Sequence, residues 1–91
     1  MVTEKTERPI AVGAMNSRVA MILVDEGVIA EDYDKYVTYS RQVLRLGRRG
    51  GARLSNEVEL LTVRWKERGC RVDVLLAVRN EVLATARQST P

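Results

Sequence analysis

Five arginines lie close together in the middle of the chain, and they are the side chains best suited to bind a ligand. They are Arg41, Arg45, Arg48, Arg49 and Arg53. With Lys35 they give the stretch 35–56 a charge of +6, because it contains no Asp or Glu. A guanidinium donates hydrogen bonds in a planar fork that matches phosphate oxygens. Several such contacts would bind nucleic acid in a sequence-independent and salt-dependent way.

The residues around these arginines fit the same chemistry. Gly50 and Gly51 would let the backbone approach a ligand closely. Tyr39 lies near the same helix end and is a candidate to stack on a base. We therefore expect a non-enzymatic accessory protein that binds DNA, RNA or another polyanion through residues 41–53.

The arginines also have a purely structural interpretation. Arginines near a helix C-terminus offset the helix dipole, and they can pair with the acidic stretch 17–34 of a neighbouring helix or subunit. That stretch holds Arg18 and five acidic residues, which give it a charge of −4. This interpretation predicts a structural or regulatory interaction module that oligomerises through apolar helix faces. Its candidate interface residues are Tyr36, Tyr39 and Trp65.

The composition excludes most catalytic chemistry. The chain has no histidine, which rules out His-ligated zinc, a Ser-His-Asp triad and a His general base. The glycine-containing loop is not followed by the Gly-Lys-Ser/Thr of a Walker motif. Adjacent acidic residues such as Glu31 and Asp32 are explained by the first turn of a helix. We expect no enzymatic activity, no metal and no cofactor.

The single cysteine indicates the compartment. Cys70 has no second cysteine for a disulfide within the chain, which fits a reducing, cytoplasmic environment, and we expect it to be an inert core thiol. A chain of 91 residues buries only about 60–65% of its unfolded surface, so its core is thin. With disulfides and His-ligated metals excluded, a homo-oligomer or a protein partner is the expected way to complete that core.

Apolar periodicity and glycine positions predict helices over 16–26, 31–46, 55–68 and 71–87. The apolar runs in 18–24 and 71–87 are also compatible with strands, and helix is preferred for both. Gly27 and Gly69 would end helices, and Ser55 or Asn56 would cap the third helix, with Glu59 completing a capping box. The predicted fold is all-α: a small four-helix domain of two helical hairpins over residues 14–88, after a flexible tail at 1–13. The longest apolar run, 19–24, is too short to cross a membrane.

Two other arrangements compete with this one. A helix-turn-helix centred on Gly69 would make 73–86 a recognition helix that presents Arg71 and Arg79. The segments VLRLGRRGGARLSNEVELL and KERGCRVDVLLAV resemble the strand, basic loop, capped helix and strand of the archaeal chromatin proteins called Alba. That resemblance implies an α/β two-layer βαβαββ fold and nucleic-acid binding, and it is the alternative fold.

Overall fold

The computed structural model describes residues 17–88, and this part of the chain folds into four α-helices. They are α1 (Ser17–Asp25), α2 (Ala30–Arg49), α3 (Leu54–Glu67) and α4 (Val72–Gln88). Helices account for 83% of the described residues, which contain no strand. The predicted all-α fold is confirmed, and the Alba-like α/β alternative is wrong. The predicted tail 1–13, like residues 14–16, lies outside the described residues.

The fourth helix shows why the α/β alternative fails. Its apolar residues alternate at first, as in a strand. The side chains that are buried, however, recur at helical spacing. They are Val74, Leu75, Val78, Val82 and Ala86. These side chains lie on one face of the helix, which packs against the rest of the fold. In a strand of the same sequence they would be divided between two opposite faces.

Two glycines end helices in the same way, as their positions predict. After α1, the Gly27 N–H donates to the Val24 carbonyl (3.0 Å) and the Val28 N–H donates to the Leu23 carbonyl (2.9 Å). This pair of bonds is a Schellman motif, which requires the left-handed backbone that Gly27 adopts at a φ of 73°. Gly69 repeats the pattern after α3, where the Cys70 N–H reaches the Trp65 carbonyl at 3.1 Å.

A third glycine does not interrupt its helix. Helix α2 was expected to end at residue 46, but it runs through Gly47 to Arg49. A Cβ atom on Gly47 would lie 2.9 Å from the Ala86 Cβ and 3.2 Å from the Leu83 Cδ2. A side chain at position 47 would therefore collide with α4, and glycine allows the two helices to pack closely there. Packing against α4 offsets the poor helix propensity of glycine, which is about 1 kcal/mol below alanine.

The predicted cap of α3 is wrong. The helix begins at Leu54, so Ser55 and Asn56 lie inside its first turn and Glu59 completes no capping box. Arg53 occupies the N-cap position without a side-chain hydrogen bond. Residues 52–53 already form a turn, in which the Leu54 N–H donates to the Gly51 carbonyl, so the chain enters the helix before it reaches the serine.

The two hairpins interlock and do not pack as separate pairs. Helix α1 makes few contacts with α2 and packs mainly on α4, while the most extensive contact in the fold joins α2 to α4. These two helices are parallel: the Tyr36 hydroxyl accepts the Arg71 N–H near their N-terminal ends, and Gly47 meets Ala86 near their C-terminal ends. Helix α3 returns antiparallel along α2, with which it shares the Trp65–Gln42 hydrogen bond.

The core lies where α2 and α4 meet the inner faces of α1 and α3. Its fully buried side chains include Leu23, Val43 and Leu75. The buried hydroxyls have partners: Ser40 donates to the Val37 carbonyl, and Thr62 donates to the Val58 carbonyl at 2.8 Å. Because the one Thr62 proton is used there, Tyr39 donates to the Thr62 Oγ1 across 2.7 Å. This hydroxyl pair ties α2 to α3 inside the core.

Candidate nucleic-acid interface

Three of the predicted arginines form a ridge along the exposed side of α2. Arg41, Arg45 and Arg48 are spaced i, i+4 and i+7, which places them on one face of the helix. All three are exposed, whereas Tyr36, Ser40 and Val43 are buried on the opposite side. No acidic side chain within residues 17–88 pairs with any of the three. We call Arg41, Arg45 and Arg48 the arginine ridge.

The other two predicted arginines differ from the ridge. Arg49 forms an ion pair with Glu57 of α3, with 2.7 Å between its Nη2 and the Glu57 Oε1. Arg49 therefore fits the structural interpretation, in which an arginine pairs with an acidic residue of a neighbouring helix. Arg53 is exposed at the start of α3 and has no ion-pair partner in the described segment. It extends the positive surface from the end of the ridge to the loop.

A shallow groove between α2 and α3 brings a sixth arginine to this surface. Its volume is about 360 Å³, and its walls carry Gln42, Arg45, Leu46, Glu57, Leu60, Leu61 and Arg64. Arg64 of α3 faces the same groove as Arg45 and, like it, has no ion-pair partner among residues 17–88. The sequence interpretation missed Arg64. The predicted antiparallel hairpin was the signal for it, since α3 returns along α2 and carries Arg64 towards the ridge.

The three aromatic residues predicted at an interface lie in the core of the chain itself. Tyr36, Tyr39 and Trp65 are 3%, 0% and 9% exposed, so in this conformation they offer almost no surface to a second protein. Burial raises the pKa of both tyrosines above the ordinary value. Tyr39 is also unavailable to stack on a base. The Trp65 ring is covered on one side by the Arg68 guanidinium, 4.8 Å from its centroid.

The position of α4 in the fold does not match the helix-turn-helix arrangement. Helix α4 lies at the centre of the fold, with contacts to α1, α2 and α3, so it does not protrude as a recognition helix. Arg71 is held in place: its guanidinium donates to the Glu26 carbonyl at 2.7 Å and to the Asp73 carboxylate at 2.7 Å. Arg79 donates to the neighbouring Asn80 side chain. Arg71 is therefore a structural residue that joins the α1–α2 turn to the start of α4.

The pKa values of Asp73 and Cys70, which lie near this junction, are shifted by their surroundings. The hydrogen bond from Arg71 holds the pKa of the Asp73 carboxyl below its usual range. Asp73 lies in the first turn of α4, and its carboxylate also accepts the Val74 N–H. Burial raises the pKa of the Cys70 thiol, which keeps it protonated and poorly nucleophilic. Its side chain lies in the core.

Residues 17–88 contain neither a candidate metal site nor a helix that could span a membrane. Within residues 17–88, no three Cys, Asp or Glu side chains converge as metal ligands would. None of the four helices combines the length and the apolar character required to cross a bilayer. Comparison with protein families, curated proteins and solved structures finds no match to this chain. Its function must therefore be inferred from its own residues.

Proposed function

We propose that this protein is a non-enzymatic accessory protein that binds nucleic acid through the arginine ridge, in the cytoplasm. The observation that supports the proposal is the ridge itself: Arg41, Arg45 and Arg48 point to solvent from one helix face without an acidic partner in the described segment. Structural arginines in the same chain, Arg49 and Arg71, do have such partners. A ridge of unpaired guanidinium groups is suited to an anion that the protein does not itself provide.

The spacing of the ridge suits a polyanion better than a single phosphate. Arg41 and Arg48 are seven residues apart, about 10 Å along the helix axis. Duplex DNA carries one phosphate charge per about 1.7 Å of its axis, or about six over this length, so each of the three arginines can meet a phosphate. Arg64 adds positive charge across the α2–α3 groove, and Arg53 adds it at the loop beyond the end of the ridge. Because Tyr39 is buried, the proposed binding depends on phosphate contacts and not on base stacking.

The test is a titration of labelled duplex DNA and of labelled RNA, followed by fluorescence anisotropy at several salt concentrations. A variant with Arg41→Ala, Arg45→Ala and Arg48→Ala removes the ridge. We expect the wild type to bind with an affinity that falls linearly on a log–log salt plot. The slope should drop by about 2 to 3 in the variant, since about one counterion is released per phosphate contact.

A second triple variant controls for net charge. Arg18→Ala, Arg79→Ala and Arg87→Ala also remove three positive charges, from sites on α1 and α4. We expect this control to keep most of the salt slope. The proposal is rejected if the wild type does not bind at low salt, or if the control loses as much affinity as the ridge variant.

A second candidate function is a structural or regulatory interaction module that oligomerises through apolar helix faces. It is supported by large apolar side chains that stay exposed in the described fold. They are Met21, Val24, Ile29, Leu60, Val63 and Val72. Single exposed apolar residues are normal, but groups of them mark interaction sites. This function would survive high salt, because apolar association does not depend on counterion release.

A further inference from the structure

A long groove between α3 and α4 lies apart from the arginine ridge. Its volume is about 670 Å³. The walls consist of α3 residues from Leu54 to Lys66 and α4 residues from Val72 to Arg87. At 1.5 Å per residue, the α3 wall is about 18 Å long. The groove therefore has the length of a short helix.

Apolar side chains form about half of the lining of this groove. Leu54, Val58, Val63, Leu76 and Leu83 line it, together with Val72 at one end. Val63 remains 45% exposed although it lies between two adjacent helices. Helices α3 and α4 follow one another in the chain, yet their contact is less extensive than that of α4 with α2. The pair leaves open an apolar surface that a further helix could cover.

The rim of the groove is mainly positive. Lys66, Arg79 and Arg87 lie along it, against the single acidic residue Glu59. No ion pair within the described segment neutralises any of these three basic side chains. An occupant that complements the groove needs an apolar face flanked by acidic residues.

The outer face of α1 has those two properties. Met21 and Val24 are spaced i, i+3 and are 62% and 64% exposed, so they project from one side of the helix. Within α1 the charges of Arg18 and Asp25 cancel. The acidic flank consists of Asp25 with the exposed Glu31 and Asp34 at the start of α2, which no ion pair among residues 17–88 neutralises. Helix α1 has nine residues, about 13 Å in length, which fits within the groove.

We propose that α1 of one copy of this chain docks into the α3–α4 groove of a second copy. Met21 and Val24 pack against Val63 and the other apolar walls, and Asp25, with Glu31 and Asp34 beside it, faces the basic rim. The contact joins two different surfaces, so it leads to a closed ring or to an open chain. The proposal rests on the second candidate function and is independent of nucleic-acid binding.

Because the two surfaces differ, they can be disabled separately and then recombined. Met21→Gln with Val24→Gln removes the apolar face of α1 and leaves the groove intact. Val63→Glu with Lys66→Glu reverses the charge of the groove and leaves α1 intact. Sedimentation velocity at the highest soluble concentration should show wild-type species larger than the 10.2 kDa chain, and each variant alone as a monomer. An equimolar mixture should form a dimer, because it supplies one intact α1 and one intact groove.

Leu60→Gln is the matched control. Leu60 is an exposed apolar residue of α3, but it lines the α2–α3 groove and not the α3–α4 groove. We expect its self-association to stay within about twofold of wild type, against a weakening of about tenfold or more in each double variant. Circular dichroism of each variant checks that the helices persist. If the groove variant unfolds, Lys66→Glu with Arg79→Glu, which keeps the apolar wall, replaces it.

Three results would overturn the proposal in distinguishable ways. A wild type that stays monomeric would overturn both the docking and self-oligomerisation, and would leave the groove to a different partner chain. Self-association that both double variants retain would keep the interaction module but reject this surface. A mixture that remains monomeric would show that α1 and the groove do not bind each other. Anisotropy with labelled DNA tests the arginine ridge in the same variants, which retain all three of its residues.

Discussion

Helix α4 packs against α2 on one side and against α3 on another, and the two contacts differ in how closely the helices approach. At the α2 contact, Gly47 lies so near Ala86 that even one added carbon would be 2.9 Å from it. At the α3 contact, a groove of about 670 Å³ separates the helices and Val63 stays half exposed. Helices α3 and α4, which follow one another in the sequence, are thus packed more loosely than α2 and α4, which do not.

The hairpins predicted from the sequence are therefore units of chain connectivity and not of packing. A short loop determines only that two helices run antiparallel. How closely they pack depends on the side chains between them, and small residues allow the closest approach. Here the small residues Gly47 of α2 and Ala86 of α4 lie against each other.

Enlarging one side chain at each contact should affect stability much more at the α2–α4 contact than at the α3–α4 contact. Gly47→Leu overpacks the α2–α4 contact, which typically costs about 1–3 kcal/mol, although leaving glycine regains up to about 1 kcal/mol of helix propensity. We expect a net loss of about 1–2 kcal/mol in the free energy of unfolding. Val63→Leu adds a carbon to the open groove and should change it by less than about 0.5 kcal/mol. Urea unfolding followed by circular dichroism measures both.

Equal effects of the two substitutions would contradict the distinction between a tight and a loose contact. A stabilised Gly47→Leu variant would show that α2 and α4 can separate at little cost. In that case the interhelical contact would not explain why the helix retains a glycine at this position.

A smaller effect is expected at the buried hydroxyl pair beside the open groove. Tyr39→Phe removes the hydroxyl that donates to Thr62, while Thr62 keeps its bond to the Val58 carbonyl. Losing one buried hydrogen bond of this kind costs about 1 kcal/mol. Tyr33→Phe is the matched control, because Tyr33 is partly buried and its hydroxyl has no hydrogen-bond partner within residues 17–88. Its cost should be below about 0.5 kcal/mol. Similar losses in chemical unfolding would disprove a role for the hydroxyl pair.

The smallest effect concerns the polar junction at the N-terminal end of α4, and it depends on pH. Arg71 lowers the pKa of Asp73 in the folded chain, so their contact contributes stability above the ordinary carboxyl pKa of about 3.9. That contribution is lost as the pH falls through the lowered pKa. Asp73→Asn should therefore reduce Tm at pH 7 and have little effect near the acid end of the range.

Thermal scans between neutral and acidic pH can measure this dependence. Asp34→Asn serves as the comparison, because no basic side chain in the described segment forms an ion pair with Asp34. A Tm difference between wild type and Asp73→Asn that is the same at every pH would show that the ion pair with Arg71 contributes nothing, and that the substitution acts by another route.

Much of the fold could be predicted because its signals are local. The four helices lie within three residues of their predicted bounds, and Gly27 and Gly69 end helices as expected. A Schellman turn closes through residues that are at most five positions apart, so the sequence contains all of it. The errors have a different origin. Gly47 was expected to interrupt a helix, and only contact with residue 86 explains why it does not.

The candidate site could be predicted only in part. The sequence locates the exposed arginines of α2, since their spacing places them on one helix face. It cannot distinguish Arg49, which pairs with Glu57, from the ridge beside it, because that pairing depends on the register between α2 and α3. For the same reason Arg64 was missed. The sequence leaves open whether Tyr36, Tyr39 and Trp65 lie in the core or at an interface, and in the described fold they are buried.

The sequence by itself determined that this chain is helical, where its turns lie and which stretches are positive or negative. These properties depend on hydrogen bonds and charges a few residues apart. The tertiary structure alone decided which arginines are paired, which aromatic residues are buried and where a groove stays open. Those outcomes depend on residues such as Glu26 and Arg71, or Gly47 and Ala86, that lie about 40 positions apart and meet only when four helices compete for the same core.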